Sequence, residues 1–425
     1  MKKKRRILIW KEPRLGDYLA FDRQINYTKL YDEIINDYDG KYTNSGNKVW
    51  VQGIISEIST YENDVIIYDN LDDWEYINTN YDLIVFSTDN LFGKRHKEYI
   101  ETLANCFSNS KIPIYVIAVG AQAESYDRIE ELCSLIGQEV CKFVDSIYSS
   151  GGELALRGWF TKEVIDRICR NTAIVTGCPS MYQNGKDLKI EKKSVSQKEF
   201  APIINGETRK AFSTLKKYNK GVYIDQYEWF IESFNSDYWM NDDKAVIKGL
   251  INQFGLKRTE LFLRGKIKLF YDVNEWKRFI ESKEFHFSYG SRIHGNIMSI
   301  LSGIPAMVYS IDTRTREMAE FYNIPFCEKE SSVALYDIFE ELDYSTFNDK
   351  FSKKYENYQS FLQEHNIVDE INISNQFWDK ELPISDPFIN SRRIDVLKCF
   401  NRQRVKEYSK AIVNKAKNMI FSANL

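Results

Sequence analysis

Residues 287–309 read FSYGSRIHGNIMSILSGIPAMVY. An apolar run, a turn, a helical pattern and a second apolar run predict a strand–turn–helix–strand unit. Arg292 and His294 lie at the turn. The carboxyl edge of a parallel sheet is where α/β proteins bind ligands, and a helix N-terminus favours anions. The stretch therefore predicts an anion site at the edge of a parallel sheet.

The same residues resemble the polysaccharide pyruvyl transferase family. Its hallmark is an Arg-x-His-Gly turn, then a helix that ends in Gly-x-Pro, then a strand, and the chain has this pattern from Arg292 to Pro305. In one branch of the family, an Asp-x-Arg-Thr-x-Glu segment follows the strand. That segment corresponds here to Asp312, Arg314, Thr315 and Glu317. The resemblance is close over residues 287–325 and diffuse over the rest of the first 330 residues.

The length and composition indicate a globular protein with more than one domain. A chain of 425 residues is long for a single core. The net charge of −3 gives no general attraction to nucleic acid, so any basic site must be local. The seven cysteines form no Cys-x-x-Cys pair, which favours free thiols over a disulfide framework or a metal site. No apolar run is long enough for a membrane helix, and we expect a cytoplasmic protein.

Short apolar runs alternate with helical patterns along most of the chain, which predicts an α/β fold. We expect two Rossmann-like, doubly wound domains that face a cleft, a GT-B-like arrangement, which the resemblance also implies. The expected domains are residues 1–187, residues 188–345 with the Arg-x-His-Gly motif, and a helical C-terminal extension at residues 346–425. The charged segment Lys186–Lys198 is the candidate linker.

Individual strands are also predicted from these apolar runs. In the first domain they are Ile7–Trp10, Val65–Tyr68, Leu83–Ser87, Ile114–Val119, Ile147–Ser149, Leu154–Arg157 and Ile174–Thr176. In the second domain they are Val222–Asp225, Leu261–Leu263, Lys268–Tyr271, Phe285–Tyr289 and Ala306–Tyr309. The last basic stretch, Arg392–Phe421, favours a solvated helix packed on the domains, and its alternative is a peripheral contact with anionic lipid.

Arg292, His294 and Arg157 are the candidate catalytic residues. Glycines flank the Arg292–His294 turn and allow a ligand to approach the backbone closely. Arg157 ends a predicted strand, so it is also expected at the carboxyl edge of a parallel sheet. The resemblance places an arginine there, usually before an acidic residue, whereas this chain has Gly158.

Further residues are candidates for substrate binding because they follow predicted strands or begin predicted helices. They are Asn44, Gly46, Asn47, Gly120, Gln122, Ser291, Gly295, Asn296, Asp312 and Arg314. For the Asn44–Asn47 segment, an ordinary helix cap is an equal alternative. Arg314 is expected to make the electrostatic potential of the site more positive, and Asp312 to position Arg314 or a sugar hydroxyl.

The resemblance implies transfer of a pyruvyl group from phosphoenolpyruvate to a hexose, with formation of a ketal and release of phosphate. The expected acceptor belongs to a surface polysaccharide or its lipid-linked precursor, and no cofactor or metal is expected. His294 is the candidate general acid or general base. Two alternatives stay open: a GT-B-type glycosyltransferase that uses a nucleotide sugar, and a carbohydrate-binding relative without activity.

Overall fold

The computed structural model describes residues 4–10, 45–60, 62–68, 72–206, 211–226, 243–270, 273–329, 332–369, 371, 398 and 401. The chain divides into two compact units. The first consists of residues 1–22, 43–226 and 270–380, and the second of residues 23–42, 227–269 and 381–425. Both the candidate catalytic residues and most of the strands belong to the first unit.

A first parallel sheet is built from the amino-terminal part of the chain. The strands of this part are β1 (Arg5–Trp10), β2 (Asn63–Tyr68), β3 (Leu83–Ser87), β4 (Phe92–Gly93), β5 (Ile114–Val119), β6 (Ala121–Gln122), β7 (Glu153–Leu156) and β8 (Ile174–Val175). Six of them form the sheet in the order β2-β1-β3-β5-β7-β8, with every neighbouring pair parallel. The strand order reverses between β1 and β3, which is the point where doubly wound sheets bind ligands.

The helices of this part run between the strands of the sheet. They are α1 (Ser45–Ile58), α2 (Trp74–Asn80), α3 (Lys97–Phe107), α4 (Ile129–Ser149) and α5 (Trp159–Ile168). Strand β5 is buried along its whole length, as expected for an apolar strand covered on both faces.

The remaining strands are β9 (Pro202–Asn205), β10 (Val222–Asp225), β11 (Ile267–Leu269), β12 (Phe287–Gly290), β13 (Ala306–Tyr309) and β14 (Phe326–Cys327). Five of them belong to the first unit and form part of a second parallel sheet in the order β10-β9-β12-β13-β14. This order repeats the pattern of the first sheet, and it reverses between β9 and β12. The Arg292–His294 turn follows β12 and therefore lies at this second reversal point.

The later helices are α6 (Ala211–Lys217), α7 (Asp243–Leu263), α8 (Val273–Glu281), α9 (Ile293–Leu301), α10 (Thr313–Tyr322), α11 (Leu335–Glu341) and α12 (Ser345–Glu364). Helix α7 and strand β11 are the described elements of the second unit. None of the helices in the described part of the chain combines the length and the apolar character needed to cross a bilayer.

The predicted fold class of two Rossmann-like α/β halves is confirmed, with corrections to individual elements. The predicted strand Ile147–Ser149 is the last turn of α4, and the predicted strand Leu261–Leu263 is the end of α7. Both are short apolar runs, which a buried helix face and a buried strand share. Strand β9, a central strand of the second sheet, was not predicted.

The predicted boundaries at residues 187 and 345 stay predictions. Lys186–Lys198 does lie in a stretch without helix or strand that precedes β9. The basic segment Arg392–Phe421 falls outside the described residues apart from Lys398 and Asn401, so the predicted solvated helix and its alternative, a contact with anionic lipid, both stay predictions. The six described cysteines are free thiols.

Candidate active site

Residues that follow strands of both sheets line one small crevice within the first unit. Its wall is made of Asn47, Asp89, Asn90, Arg157, Gln226, Arg292, Ile293, His294 and Arg314. Each of these residues comes soon after the end of a strand or lies in the first turn of a helix. The crevice is small and open at its mouth, and its empty space of about 330 Å³ includes open solvent. Three arginines face one acidic side chain, so the wall carries excess positive charge.

Arg157 is held firmly on the first-sheet side of the crevice. It directly follows β7, and its side chain is almost completely buried, with 1% of its surface exposed. Nη1 donates to Oδ1 of Asn90 at 3.0 Å, and Nη2 donates to the Thr88 carbonyl oxygen at 3.2 Å. Nε is buried without a hydrogen-bond partner. A buried guanidinium at a crevice wall whose hydrogen bonds go to neutral oxygens is suited to an anionic ligand.

The turn that carries Arg292 is fixed by a network of buried polar groups. Arg292 precedes α9 in an extended conformation, and Nδ2 of Asn296 donates to the carbonyl oxygens of Gly290 and Arg292. Ser288 donates to Oδ1 of Asn296, and Asn205 on the neighbouring strand β9 donates to Ser288. These bonds tie the turn to the sheet, so Arg292 and His294 project from a rigid base.

The close packing of α9 against the sheet requires a glycine at position 295. A Cβ atom there would lie 2.3 Å from Nε2 of Gln226 and 2.4 Å from Oδ1 of Asn205. Side chains cannot approach that closely, so any other residue would displace Gln226 from the crevice wall. Gly295 therefore shapes the site without lining it.

His294 lies in the first turn of α9, and only 6% of it is exposed. Burial lowers the pKa of its imidazole well below the usual value, and the charges of Arg157 and Arg314 lower it further. The ring is therefore neutral at neutral pH while the crevice is empty. Nε2 lies 3.9 Å from Sγ of Cys178. A neutral imidazole can accept a proton, and an anion in the crevice would raise its basicity by offsetting the arginines.

Asp312 positions Arg314 and caps a helix. Its carboxylate accepts from the backbone N–H of Thr315 at the start of α10, and Oδ2 lies 3.4 Å from Nε of Arg314. Gln122 donates to the same Oδ2 at 3.0 Å. Asp312 and Gln122 therefore act through Arg314, which reaches the crevice wall.

The structure brings five of the predicted site residues into the wall: Asn47, Arg157, Arg292, His294 and Arg314. Seven others lie near the wall or behind it and are not among its lining residues: Gly46, Gly120, Gln122, Ser291, Gly295, Asn296 and Asp312. Gly120 leaves room for Arg157, because a Cβ atom there would lie 3.4 Å from its Cδ. Asn44 falls outside the described residues.

Asn90 and Gln226 are among the lining residues that were not predicted. Asn90 follows β3, at the reversal point of the first sheet, and Gln226 follows β10. Their positions after strands were the available signal, but an amide alone gives no indication of function. Among the described residues, no cluster of three or more His, Cys, Asp or Glu side chains is arranged to hold a metal ion.

A comparison with family models matches residues 13–313 to the polysaccharide pyruvyl transferase model. No curated protein sequence matches significantly.

Solved structures give only remote similarities. A protein of uncharacterised function from Klebsiella pneumoniae is 13% identical, with a TM-score of 0.35 and coverage of 72% of this chain and 100% of the other. The S. aureus MnaA–UDP structure is 10% identical, with a TM-score of 0.37 and coverage of 87% and 99%. The glycosyltransferase SnogD from Streptomyces nogalater is 8% identical, with a TM-score of 0.32 and coverage of 86% and 100%.

Proposed function

Because the chain belongs to the polysaccharide pyruvyl transferase family, we propose that it transfers a pyruvyl group from phosphoenolpyruvate to a hexose. The acceptor is a sugar of a surface polysaccharide or of its lipid-linked precursor, and the product is a pyruvate ketal. The observation that carries this proposal is the crevice that gathers Arg157, Arg292, Arg314 and His294.

The charge of the crevice suits the proposed donor. Phosphoenolpyruvate carries a phosphate and a carboxylate on a three-carbon frame. Arginine binds both groups well, because its planar fork of N–H donors matches two oxygens at once. Arg157 comes from the first sheet, whereas Arg292 and Arg314 come from the second. In the proposal, these arginines bind the two anionic ends of the donor from different sides.

The proposed reaction joins two hydroxyls of one sugar to the C2 atom of the donor. The first hydroxyl adds across the C2–C3 double bond, so that C3 gains a proton and becomes a methyl group. The second hydroxyl then bonds to C2 as the bond from C2 to the phosphate oxygen breaks. Its proton leaves with the phosphate.

In this scheme His294 is the general base that accepts the proton of an attacking hydroxyl. Its lowered pKa keeps the imidazole neutral in the empty crevice, which is the form that a base needs. The donor's negative charges then offset Arg157 and Arg314 and make the imidazole a stronger base. The arginines stabilise the departing phosphate.

The experiment is incubation of the protein with phosphoenolpyruvate and a panel of hexose acceptors, with phosphate release and product NMR as readouts. We expect phosphate release that depends on the acceptor, and a product with one new methyl singlet and a ketal carbon. The absence of release with every acceptor, together with binding of a nucleotide sugar, would contradict the proposal and favour a glycosyltransferase.

A further inference from the structure

Glu317 is a buried carboxyl group directly behind the crevice wall. It lies on α10, and 1% of its surface is exposed. Its oxygens accept from the backbone N–H of Thr161 at 3.0 Å and from Oγ1 of the same residue at 2.9 Å. Thr161 belongs to the first turn of α5, four residues after Arg157. Glu317 therefore connects a helix of the second half to the segment that presents Arg157.

The segment that carries Arg157 is shaped around this carboxyl group. Gly158 has an extended backbone that any residue could adopt, with φ of −169° and ψ of −177°. A Cβ atom at this position would nevertheless lie 2.8 Å from Oε2 of Glu317. Position 158 thus lacks a side chain because the carboxyl group of Glu317 fills that space.

Arg157 and Glu317 also pack against the same small residue. A Cβ atom on Gly120 would lie 3.4 Å from Cδ of Arg157 and 3.4 Å from Oε1 of Glu317. The hydrogen bonds of the Arg157 guanidinium to Asn90 and Thr88 go to neutral oxygens. Glu317 is therefore well placed to balance the charge of Arg157 when no anion is bound.

We propose that Glu317 is the counter-charge of Arg157 in the empty crevice, and that it accepts a proton from solvent when an anionic donor binds. This inference rests on the proposed function in its choice of donor. Once a phosphate or carboxylate of the donor pairs with Arg157, a second buried negative charge nearby is unfavourable. Protonation removes that repulsion, so Glu317 controls donor affinity without touching the donor.

The pKa of Glu317 agrees with protonation of its carboxylate on anion binding. Burial raises its pKa to about 7, and the Thr161 hydrogen bonds and Arg157 counteract part of that rise. Glu320, one turn later on the same helix, raises the pKa further, and Tyr126 interacts electrostatically with Glu317. Burial, Arg157 and Arg314 lower the pKa of His294 in the empty crevice, and a bound anion raises it again. Proton uptake is therefore assigned to Glu317 by comparing the wild type with a variant that lacks this carboxyl group.

The test is calorimetric titration with phosphoenolpyruvate at pH 8 in buffers of different ionisation enthalpy, which measures the protons taken up on binding. We expect the wild type to take up a substantial fraction of one proton, and Glu317→Gln to take up almost none. Because the variant lacks the repelling charge, it should bind the donor severalfold more tightly at pH 8, and its affinity should change less with pH. Glu341→Gln, an exposed glutamate at the end of α11 that does not contribute to the pKa of Glu317, is the matched control and should behave as the wild type does.

Equal proton uptake by the wild type and Glu317→Gln would overturn the inference. If Glu317→Gln does not fold, Thr161→Val gives a second test. Losing the hydroxyl that stabilises the ionised carboxylate raises the pKa of Glu317, so the maximum of proton uptake should move to higher pH. An unchanged maximum would contradict the inference.

A parallel titration with sulfate separates this inference from the proposed function, because sulfate is an anion that does not titrate near neutral pH. If phosphoenolpyruvate does not bind but sulfate binds with proton uptake that Glu317→Gln abolishes, the donor assignment fails and the role of Glu317 stands. If phosphoenolpyruvate binds and reacts but the wild type and Glu317→Gln take up the same number of protons, the donor assignment stands and the role of Glu317 fails.

Discussion

Nε2 of His294 lies 3.9 Å from Sγ of Cys178, and Oγ of Ser180 donates to the same sulfur at 3.1 Å. Burial raises the pKa of the Cys178 thiol, so the sulfur stays protonated at neutral pH. A neutral thiol beside a neutral imidazole can orient the ring through a weak S–H···N contact. It is not activated as a nucleophile, which would need a lowered pKa.

Replacing Cys178 by alanine should therefore slow the reaction only modestly. A weak hydrogen bond is worth about 1 kcal/mol, so we expect kcat to fall about fivefold, with the KM for phosphoenolpyruvate nearly unchanged. Steady-state kinetics check this, with Cys106→Ala on α3 as the control. Complete loss of turnover in a folded Cys178→Ala protein would instead point to a covalent role for the thiol.

Replacing His294 by glutamine should remove the proton-transfer step and preserve donor binding. General base catalysis contributes about 10²- to 10⁴-fold, so kcat should fall by that factor. The matched control is His286→Gln, since His286 is half-buried near Glu199 and Lys220 and is not a lining residue of the crevice. Comparable kcat values for His294→Gln and the wild type would remove His294 from the mechanism.

Arg157 should be sensitive even to replacement by lysine, which keeps the charge. Lysine offers a single nitrogen in place of the planar fork, whose two terminal nitrogens bond separately to Asn90 and Thr88, so it cannot hold the charge in the same position. Loss of one charged hydrogen bond, about 1.5–3 kcal/mol, predicts a KM for phosphoenolpyruvate roughly ten- to a hundredfold higher.

The control for Arg157 is Arg316→Lys, because Arg316 pairs with Glu320 and Glu328 and does not line the crevice. We expect this variant to keep the wild-type KM. If Arg157→Lys keeps it as well, Arg157 does not contact the donor.

The stability of the protein should depend on pH through Glu317. Its pKa is raised to about 7 in the folded protein from an ordinary value of 4.5, so the folded state holds an extra proton between these values. The unfolding free energy consequently falls as the pH rises from about 4.5 to about 7. Glu317→Gln has no titrating carboxyl group at this position. Between pH 4.5 and pH 8, the free energy of unfolding of the wild type should therefore fall by on the order of 3 kcal/mol relative to that of the variant.

Chemical denaturation of both proteins across this pH range measures the difference, with Glu341→Gln as the control. A constant difference between the wild type and Glu317→Gln at every pH would show that the carboxyl titrates normally in the folded protein.

The sequence predicts most of the fold because the buried strands are continuous apolar runs. Leu83–Ser87, Ile114–Val119 and Ala306–Tyr309 have the predicted bounds. Strand β9 escaped prediction because it is short and begins with Pro202, a residue that argues against a strand but is tolerated at its first position. The end of α4, Ile147–Ser149, was taken for a strand because three residues cannot show helical periodicity.

The sequence predicts the part of the site that is local in the chain. Arg292 and His294 share one turn, so their spacing identifies them together. Glu317 could not be connected with Arg157, because 160 residues separate them and only the folded chain places the carboxyl group over Gly158. The family usually has an acidic residue directly after this arginine. In this chain, the carboxyl group of Glu317, from another helix, occupies the space beside Gly158 instead.

Calorimetric titration of the wild type and Arg292→Lys with phosphoenolpyruvate shows whether the arginine-lined crevice binds this donor. We expect saturable binding of one molecule per chain, weakened about tenfold or more by the substitution. Absence of saturable binding by the wild type, or equal affinity in Arg292→Lys, would contradict it.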